Sequence, residues 1–197
     1  MKLVAATQNK HKLEEIYKII KDFDMELVPM NEAGLGDLDI EETGTTLEEN
    51  SLLKAQTVCD LTGCAAVADD TGLMVDALDE APGVYSARYA GEHGNDAENR
   101  RLLLENMKDK TDRKAHFASV ITLVYPDGRK LVAVGECHGV ILTEERGDHG
   151  FGYDALFLPD GFDRSFAEIS MEEKNSVSHR GRALRKLHDM LENDIIK

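Results

Sequence analysis

Cys64-Ala65-Ala66-Val67-Ala68-Asp69-Asp70-Thr71-Gly72 is the stretch on which the reading of this chain turns. Five uncharged residues read as a buried strand, and two carboxylates and a hydroxyl follow at once. An ionised carboxylate placed there is costly unless a cation or hydrogen bonds compensate it. The pair therefore points to a hard metal ion holding a phosphate, or to acid–base work. Asp69 to Gly72 also suits a tight reversal, with Gly72 at positive φ and the Asp side chains bonding nearby backbone. Taken alone, the segment favours that turn.

Upstream, residues 3–6 read as a first strand that runs into a helix whose apolar positions Leu13, Ile16, Tyr17, Ile20 and Phe23 keep three-and-four spacing. Residues 25–30 form a second strand, and residues 31–44 an acidic, glycine-containing loop. A second helix starts at Thr45 or Thr46, each with a Glu three residues on to complete a capping box, and ends before Gly63. Downstream, Asn95 with Glu98 opens a helix through Met107, and residues 115–125 and 130–137 form a long hairpin turning at Pro126-Asp127-Gly128, the frame of a second lobe. Residues 151–158 read as a strand, and a last helix carries Ala183, Leu184, Leu187 and Leu191 on one face. No repeat or linker divides the chain, so residues 1–197 read as one domain, able to bury a core without disulfides.

Charge narrows the function. With 23 Lys and Arg against 38 Asp and Glu, the net charge of −15 argues against a surface that grips nucleic acid or anionic lipid. Any phosphate ligand is therefore small and locally held. Three cysteines without C-x-x-C spacing give neither a disulfide framework nor a zinc site. The apolar run in residues 1–7 is too short for a signal peptide, and no window approaches the roughly 18 apolar residues of a membrane span. The expectation is a soluble, cytoplasmic protein.

Four further segments carry chemistry. Thr7-Gln8-Asn9-Lys10-His11-Lys12 joins the first strand to the first helix, where backbone N–H groups and the helix dipole favour an anion. The competing reading is that Asn9 only caps the helix. Glu41-Glu42-Thr43-Gly44 offers a carboxylate that joins the Asp pair around Mg2+, which takes one or two protein carboxylates and fills its octahedron with water and phosphate oxygens; solvated loop acids compete. Phe151-Gly152-Tyr153-Asp154 can stack on a base and bond its edge, against simple core packing. Lys174 with Ser178-His179-Arg180-Gly181 sets donors around the start of the last helix, or merely caps it. No Walker A loop, dinucleotide fingerprint or nucleophile elbow offers a rival chemistry.

In this order, together with Glu49-Asn50, Lys54-Ala55, Ala81-Pro82-Gly83-Val84-Tyr85-Ser86-Ala87-Arg88-Tyr89, Phe166-Ala167-Glu168 and Glu173-Lys174, these segments resemble the inosine triphosphate pyrophosphatase family. Its members hydrolyse nonstandard purine nucleoside triphosphates to the monophosphate and pyrophosphate. The resemblance implies a mixed α/β (α+β) protein, an elongated two-lobed ITPase-like fold around a long mixed β-sheet with a cleft between lobes, Mg2+ dependence and a homodimer. It makes Asp70 the proton acceptor and a metal ligand, and Glu41 another metal ligand. Thr71 with Thr7, Gln8, Asn9, Lys10, His11 and Lys12 contact the nucleotide, and Lys54 is a secondary phosphate group. Phe151, Gly152, Tyr153, Asp154, Lys174, His179 and Arg180 form the base and sugar pocket. Three departures stand out: Thr71 where Ser is usual, His149 where Gly is usual, and Ala155 in place of Pro after Asp154. Two rivals are a pyrophosphatase for modified pyrimidine nucleotides and a nucleotide sensor without turnover.

Overall fold

The computed structural model describes residues 1–195, and the chain within it forms two compact units. The first comprises residues 1–70, 119–135 and the chain from Arg182 onward; the second comprises residues 71–118 and 136–181. The elements follow the order β1 (Lys2–Ala5), α1 (Lys10–Ile20), β2 (Glu26–Pro29), α2 (Leu47–Thr62), β3 (Ala65–Val75), β4 (Pro82–Gly83), α3 (Asp96–Asn106), β5 (Lys114–Val124), β6 (Lys130–Ile141), β7 (Phe157–Pro159), α4 (Met171–Val177) and α5 (His179–Ile195). Seven strands make one mixed sheet in the order β2-β1-β3-β5-β6-β7, with β4 paired to β3. β1 runs parallel to both β2 and β3, whereas β4 is antiparallel to β3 and β7 to β6. The fold is mixed α/β.

In the first unit, strand alternation divides the core between two sheet faces. Leu3, Ala5, Ala65 and Val67 pack with Ile16 and Ile20 of α1 and with Ala183, Leu184, Leu187 and Leu191 of α5. Val4, Ala6, Ala66 and Ala68 pack on the other face with Ala55, Val58 and Cys59 of α2. The second unit has its own core around Phe117, Phe157, Phe166, Leu73, Leu103 and Leu156.

The helix starts follow their capping chemistry. Asn9 Oδ1 accepts from the N–H groups of His11 and Lys12, and Thr46 with Glu49 forms a complete capping box. Asn95 caps α3 through the Glu98 N–H, and the Ser178 hydroxyl accepts from the Gly181 N–H at the start of α5.

Four expectations are corrected. Asp69 to Gly72 is strand and not turn: β3 continues to Val75 because β4 pairs with Leu73 and Met74, and Gly72 takes no positive φ. Residues 151–158 are not one strand. Gly150 and Gly152 take φ of 78° and 61°, a short 3-10 turn spans Asp154–Leu156, and only Phe157–Pro159 is extended. Tyr17 is exposed, because the buried stripe of α1 is narrower than its pattern. The predicted hairpin exists but divides: Ser119–Gly135, including its turn, belongs to the first unit, and only residues 114–118 and 136–141 belong to the second, where Ala115, Phe117, Cys137 and Ile141 join its core. Among the described residues no helix is long and apolar enough to cross a membrane.

Candidate active site

The alternation that sorts the core also sorts the two carboxylates. Asp69 continues the Ala65, Val67 face toward α1, and Asp70 continues the Ala66, Ala68 face toward α2. Each helix supplies a lysine. Lys12, in the first turn of α1, donates to the Asp69 carbonyl at 3.1 Å and lies 3.4 Å from its Oδ2. Lys54, in the middle of α2, lies 2.7 Å from Asp70 Oδ1 and 2.7 Å from Glu42 Oε1, and also donates to the Asp69 carbonyl. Asp69 is further held by Ser119 of β5, whose hydroxyl donates to its Oδ1 at 2.7 Å. Behind them Ser51 of α2 donates to the Ala68 carbonyl, tying the helix to the strand.

The acidic loop reaches this place through Gly44. A β-carbon there would stand 2.6 Å from Asn50 Oδ1 and 2.7 Å from Glu49 Cβ, so only glycine lets the loop close on the start of α2. Asn50 Oδ1 accepts from the Gly44 N–H at 2.8 Å, and Glu49 accepts from both Thr45 and Thr46. Glu42 is the carboxylate that this closure brings to Lys54. Glu41, the expected ligand, is exposed one residue before it.

Two acids share one lysine here, and the titration of Asp70 and of Lys54 reflects it. Burial pushes the Asp70 carboxyl above its ordinary range; Lys54 pulls it down, Glu42 pushes it up and Lys12 pulls it down more weakly. Burial would lower the Lys54 ammonium, yet Asp70 and Glu42 outweigh it and hold its pKa above the usual value. The ammonium gains from both neighbours, whereas Asp70 gains from one and is opposed by the other. Asp70 Oδ2 is buried and has no hydrogen-bond partner. An orphaned carboxylate oxygen with a second acid on the same lysine is a donor set that fits a hard divalent cation.

Of the remaining residues in the first loop, Thr7 Oγ1 accepts from the Asn9 N–H and Gln8 donates to the Gly36 carbonyl. Lys10 and His11 are exposed. Lys12 reaches the Asp pair.

The second unit gathers the other expected residues. Lys174, 5% exposed, donates to Asp154 Oδ2 at 2.6 Å, and its ammonium sits 4.7 Å from the centre of the Phe151 ring. Asp154 Oδ2 also accepts from the Phe151 N–H at 2.9 Å. Gly150 is obligatory at this corner, since its φ is positive and a β-carbon would meet that same Asp154 oxygen at 2.1 Å. Arg180 reaches Thr71 Oγ1 at 3.4 Å, with its guanidinium 5.6 Å from the Phe151 ring, and His179 stacks on Phe117 at 4.7 Å. Tyr153 points inward, donates to the Ser86 carbonyl at 2.8 Å, and has its phenol pKa raised by burial. A cavity of about 290 Å³ opens beside Lys174, lined by His149, Gly150, Phe166, Ile169, Ser170 and Met171.

Ser119 was not identified from the sequence, and Phe166 was read only as part of the Phe166-Ala167-Glu168 motif, with no role given to it. Ser119 and Thr122 are the two hydroxyls in the otherwise apolar run 117–124 of β5, and both are fully buried, which is a readable sign of a buried polar partner.

The model of the Ham1 family matches residues 3–190. The chain belongs to the Ham1 family. A dITP/XTP pyrophosphatase of Clostridium perfringens is 48% identical over 96% of this chain and 97% of that protein, and one of Haemophilus influenzae is 45% identical over 96% and 98%. The solved Ham1 proteins of Staphylococcus aureus and Coxiella burnetii superpose with a TM-score of 0.92 each, at 38% and 41% identity, covering 98% of this chain and 100% and 99% of theirs. The resemblance read from the ordered motifs is thereby borne out over residues 3–190 of the Ham1 chain.

Proposed function

We infer that this Ham1 chain acts as one pyrophosphatase domain that hydrolyses nonstandard purine nucleoside triphosphates such as ITP, dITP and XTP, releasing the monophosphate and pyrophosphate. Near-complete alignment with proteins named dITP/XTP pyrophosphatase supports the activity. The physical observation that carries it is Asp70: a buried carboxylate with one oxygen on Lys54 and the other unpartnered.

Asp70 is the proton acceptor and orients the attacking water, and burial makes its carboxylate a better base than a free Asp, whose pKa of about 3.9 is low for work at neutral pH. Lys12 and Lys54 spread the charge that builds on the phosphate oxygens. Thr7 to His11 line the path of the phosphate tail. A Mg2+ ion would be held by Asp70 and Glu42, the geometry favouring Glu42 over its neighbour Glu41; when bound, it supplies charge neutralisation and acidifies water. Phe151 stacks on the base. Lys174, which keeps two protons beyond the one given to Asp154, or Arg180 donates to the 6-oxo group; adenine offers a donor there and is rejected by roughly 10⁴-fold, because a buried donor is left unpaired. His179 and Thr71 border the sugar, and the assembly is a homodimer.

One assay tests the reading. Pyrophosphate release from ITP, dITP, XTP, GTP, ATP and a modified pyrimidine triphosphate is measured with Mg2+, for wild type and Asp70→Asn. Turnover of ITP and XTP far above ATP is expected, with a loss of at least about 10³-fold in the variant. Equal turnover of ITP and ATP, or a variant with near-wild-type activity, refutes it.

A further inference from the structure

Gly152 is held on both sides by one helix face, and that clamp lies outside every residue so far given a role. Asp96 and Arg100 stand four residues apart on α3 and therefore share a face. Asp96 Oδ2 accepts from the Gly152 N–H at 2.7 Å, and Arg100 donates to the Gly152 carbonyl at 2.9 Å. Arg100 Nε lies a further 2.9 Å from Glu145 Oε1, an ion pair made without a hydrogen bond from that nitrogen.

The clamp acts where the backbone needs it. Gly152 has φ of 61°, no side chain, and nothing within 4 Å of the place a β-carbon would take. Side-chain packing therefore cannot hold this residue, and its peptide groups are the only handles. The residues on either side are the ones that would meet the base: Phe151 with its ring under Lys174, and Asp154, which orients both Lys174 and the Phe151 N–H. The helix making the clamp is itself fixed. Asn99, between the two clamp residues, accepts from the Ala90 N–H at 2.8 Å and donates to the Ala87 carbonyl at 3.3 Å, and Leu103 is fully buried one turn on. Tyr153 anchors to Ser86 in the same segment that Asn99 holds.

We propose that Asp96 and Arg100 are positioning residues for nucleobase recognition, which set the Phe151-Gly152-Tyr153-Asp154 turn by binding both backbone groups of Gly152. This rests on the assignment of that turn to the base. Neither side chain touches the reacting atoms, so the effect falls on base-dependent binding and leaves the phosphate chemistry alone.

The test uses the full chain and the variants Asp96→Ala, Asp96→Asn, Arg100→Met and Arg100→Lys. Wild-type pyrophosphate release from ITP is measured first, and its absence defeats the functional assignment itself, separately from the clamp. Given wild-type turnover, Asp96→Ala and Arg100→Met are expected to raise KM for ITP about tenfold, the scale of one hydrogen bond to a charged group, with kcat within about twofold. Inhibition by inorganic triphosphate, which carries no base, is expected to stay unchanged. Asp96→Asn keeps an acceptor oxygen and restores KM to within about threefold of wild type. An unaltered KM in both truncated variants, or a triphosphate inhibition constant that weakens in step with KM, overturns the proposal. Because the two truncations remove different ends of the clamp, one misfolded variant leaves the other to decide.

Discussion

Replacing Lys54 by Met removes a cation that Asp70 and Glu42 share, at 2.7 Å from each. Breaking a buried ion pair by deleting one partner costs about 3–5 kcal/mol, because the other charge is left buried. Here the side chains of Lys54, Asp70 and Glu42 retain 12%, 9% and 21% exposure, so water screens part of that loss and about 2–3 kcal/mol is the appropriate figure. For a chain of this size each kcal/mol moves the thermal midpoint by about 2–4 °C, so a fall of about 4–12 °C is expected near neutral pH. The pH dependence gives the sharper reading. Burial raises the Asp70 carboxyl and Lys54 is the strongest influence opposing it, so its removal raises that carboxyl further. A carboxyl whose folded pKa exceeds its unfolded one binds more protons when folded in the window between them, and stability there falls as pH rises. The deficit of Lys54→Met relative to wild type should therefore shrink as pH is lowered from neutral toward 3.8, the ordinary value for Asp. Scanning calorimetry across that range, with Lys54→Met/Asp70→Asn alongside, checks it: the double variant should regain much of the lost midpoint. A deficit under about 2 °C, or one that does not change with pH, would show that the lysine is not compensating a buried charge.

Ser119→Ala should lower stability by about 1 kcal/mol in urea unfolding, since Asp69 Oδ1 loses its 2.7 Å donor, and a change within error would mean that Lys12 suffices to hold Asp69. Chelation with EDTA should abolish ITP turnover and added Mg2+ should restore it, while full activity in the chelator contradicts metal dependence. Glu42→Gln should raise the Mg2+ concentration for half-maximal activity about tenfold or more, with Glu41→Gln changing it less; the reverse order would return the ligand to Glu41. Lys174→Met should leave Asp154 without its 2.6 Å ion-pair partner and raise KM for ITP at least tenfold, and an unchanged KM would remove Lys174 from base recognition.

Where a helix begins is a local matter, and the caps at Asn9, Thr46, Asn95 and Ser178 form as the sequence directs because an Asn, Ser or Thr side chain binds N–H groups only two or three residues away. The apolar stripe of α5 and the hairpin around Gly128 follow from equally short-range patterns. The ordered motifs likewise suffice to place the family, since each is legible as a string of residues. The continuation of β3 through Asp69-Asp70-Thr71-Gly72 is different: nothing local stops that segment from turning, and the partners that keep it extended, Pro82 and Gly83, lie in another element. Exposure of Tyr17 is decided by which face of α1 meets the sheet.

Read residue by residue, the chain already tells that two adjacent carboxylates follow a buried strand, that lysines and acids stand in separate segments, and which family arranges them so. Tertiary structure alone decided the pairing. Successive strand side chains leave on opposite faces, so Asp69 meets Lys12 of one helix and Asp70 meets Lys54 of another, and Gly44 closing against Asn50 sets Glu42 rather than Glu41 on that second lysine. The three lysine–acid contacts join residues 12 to 57 positions apart in the chain. Local propensity carries no information over such a span, because the contact exists only once both faces of the sheet are packed.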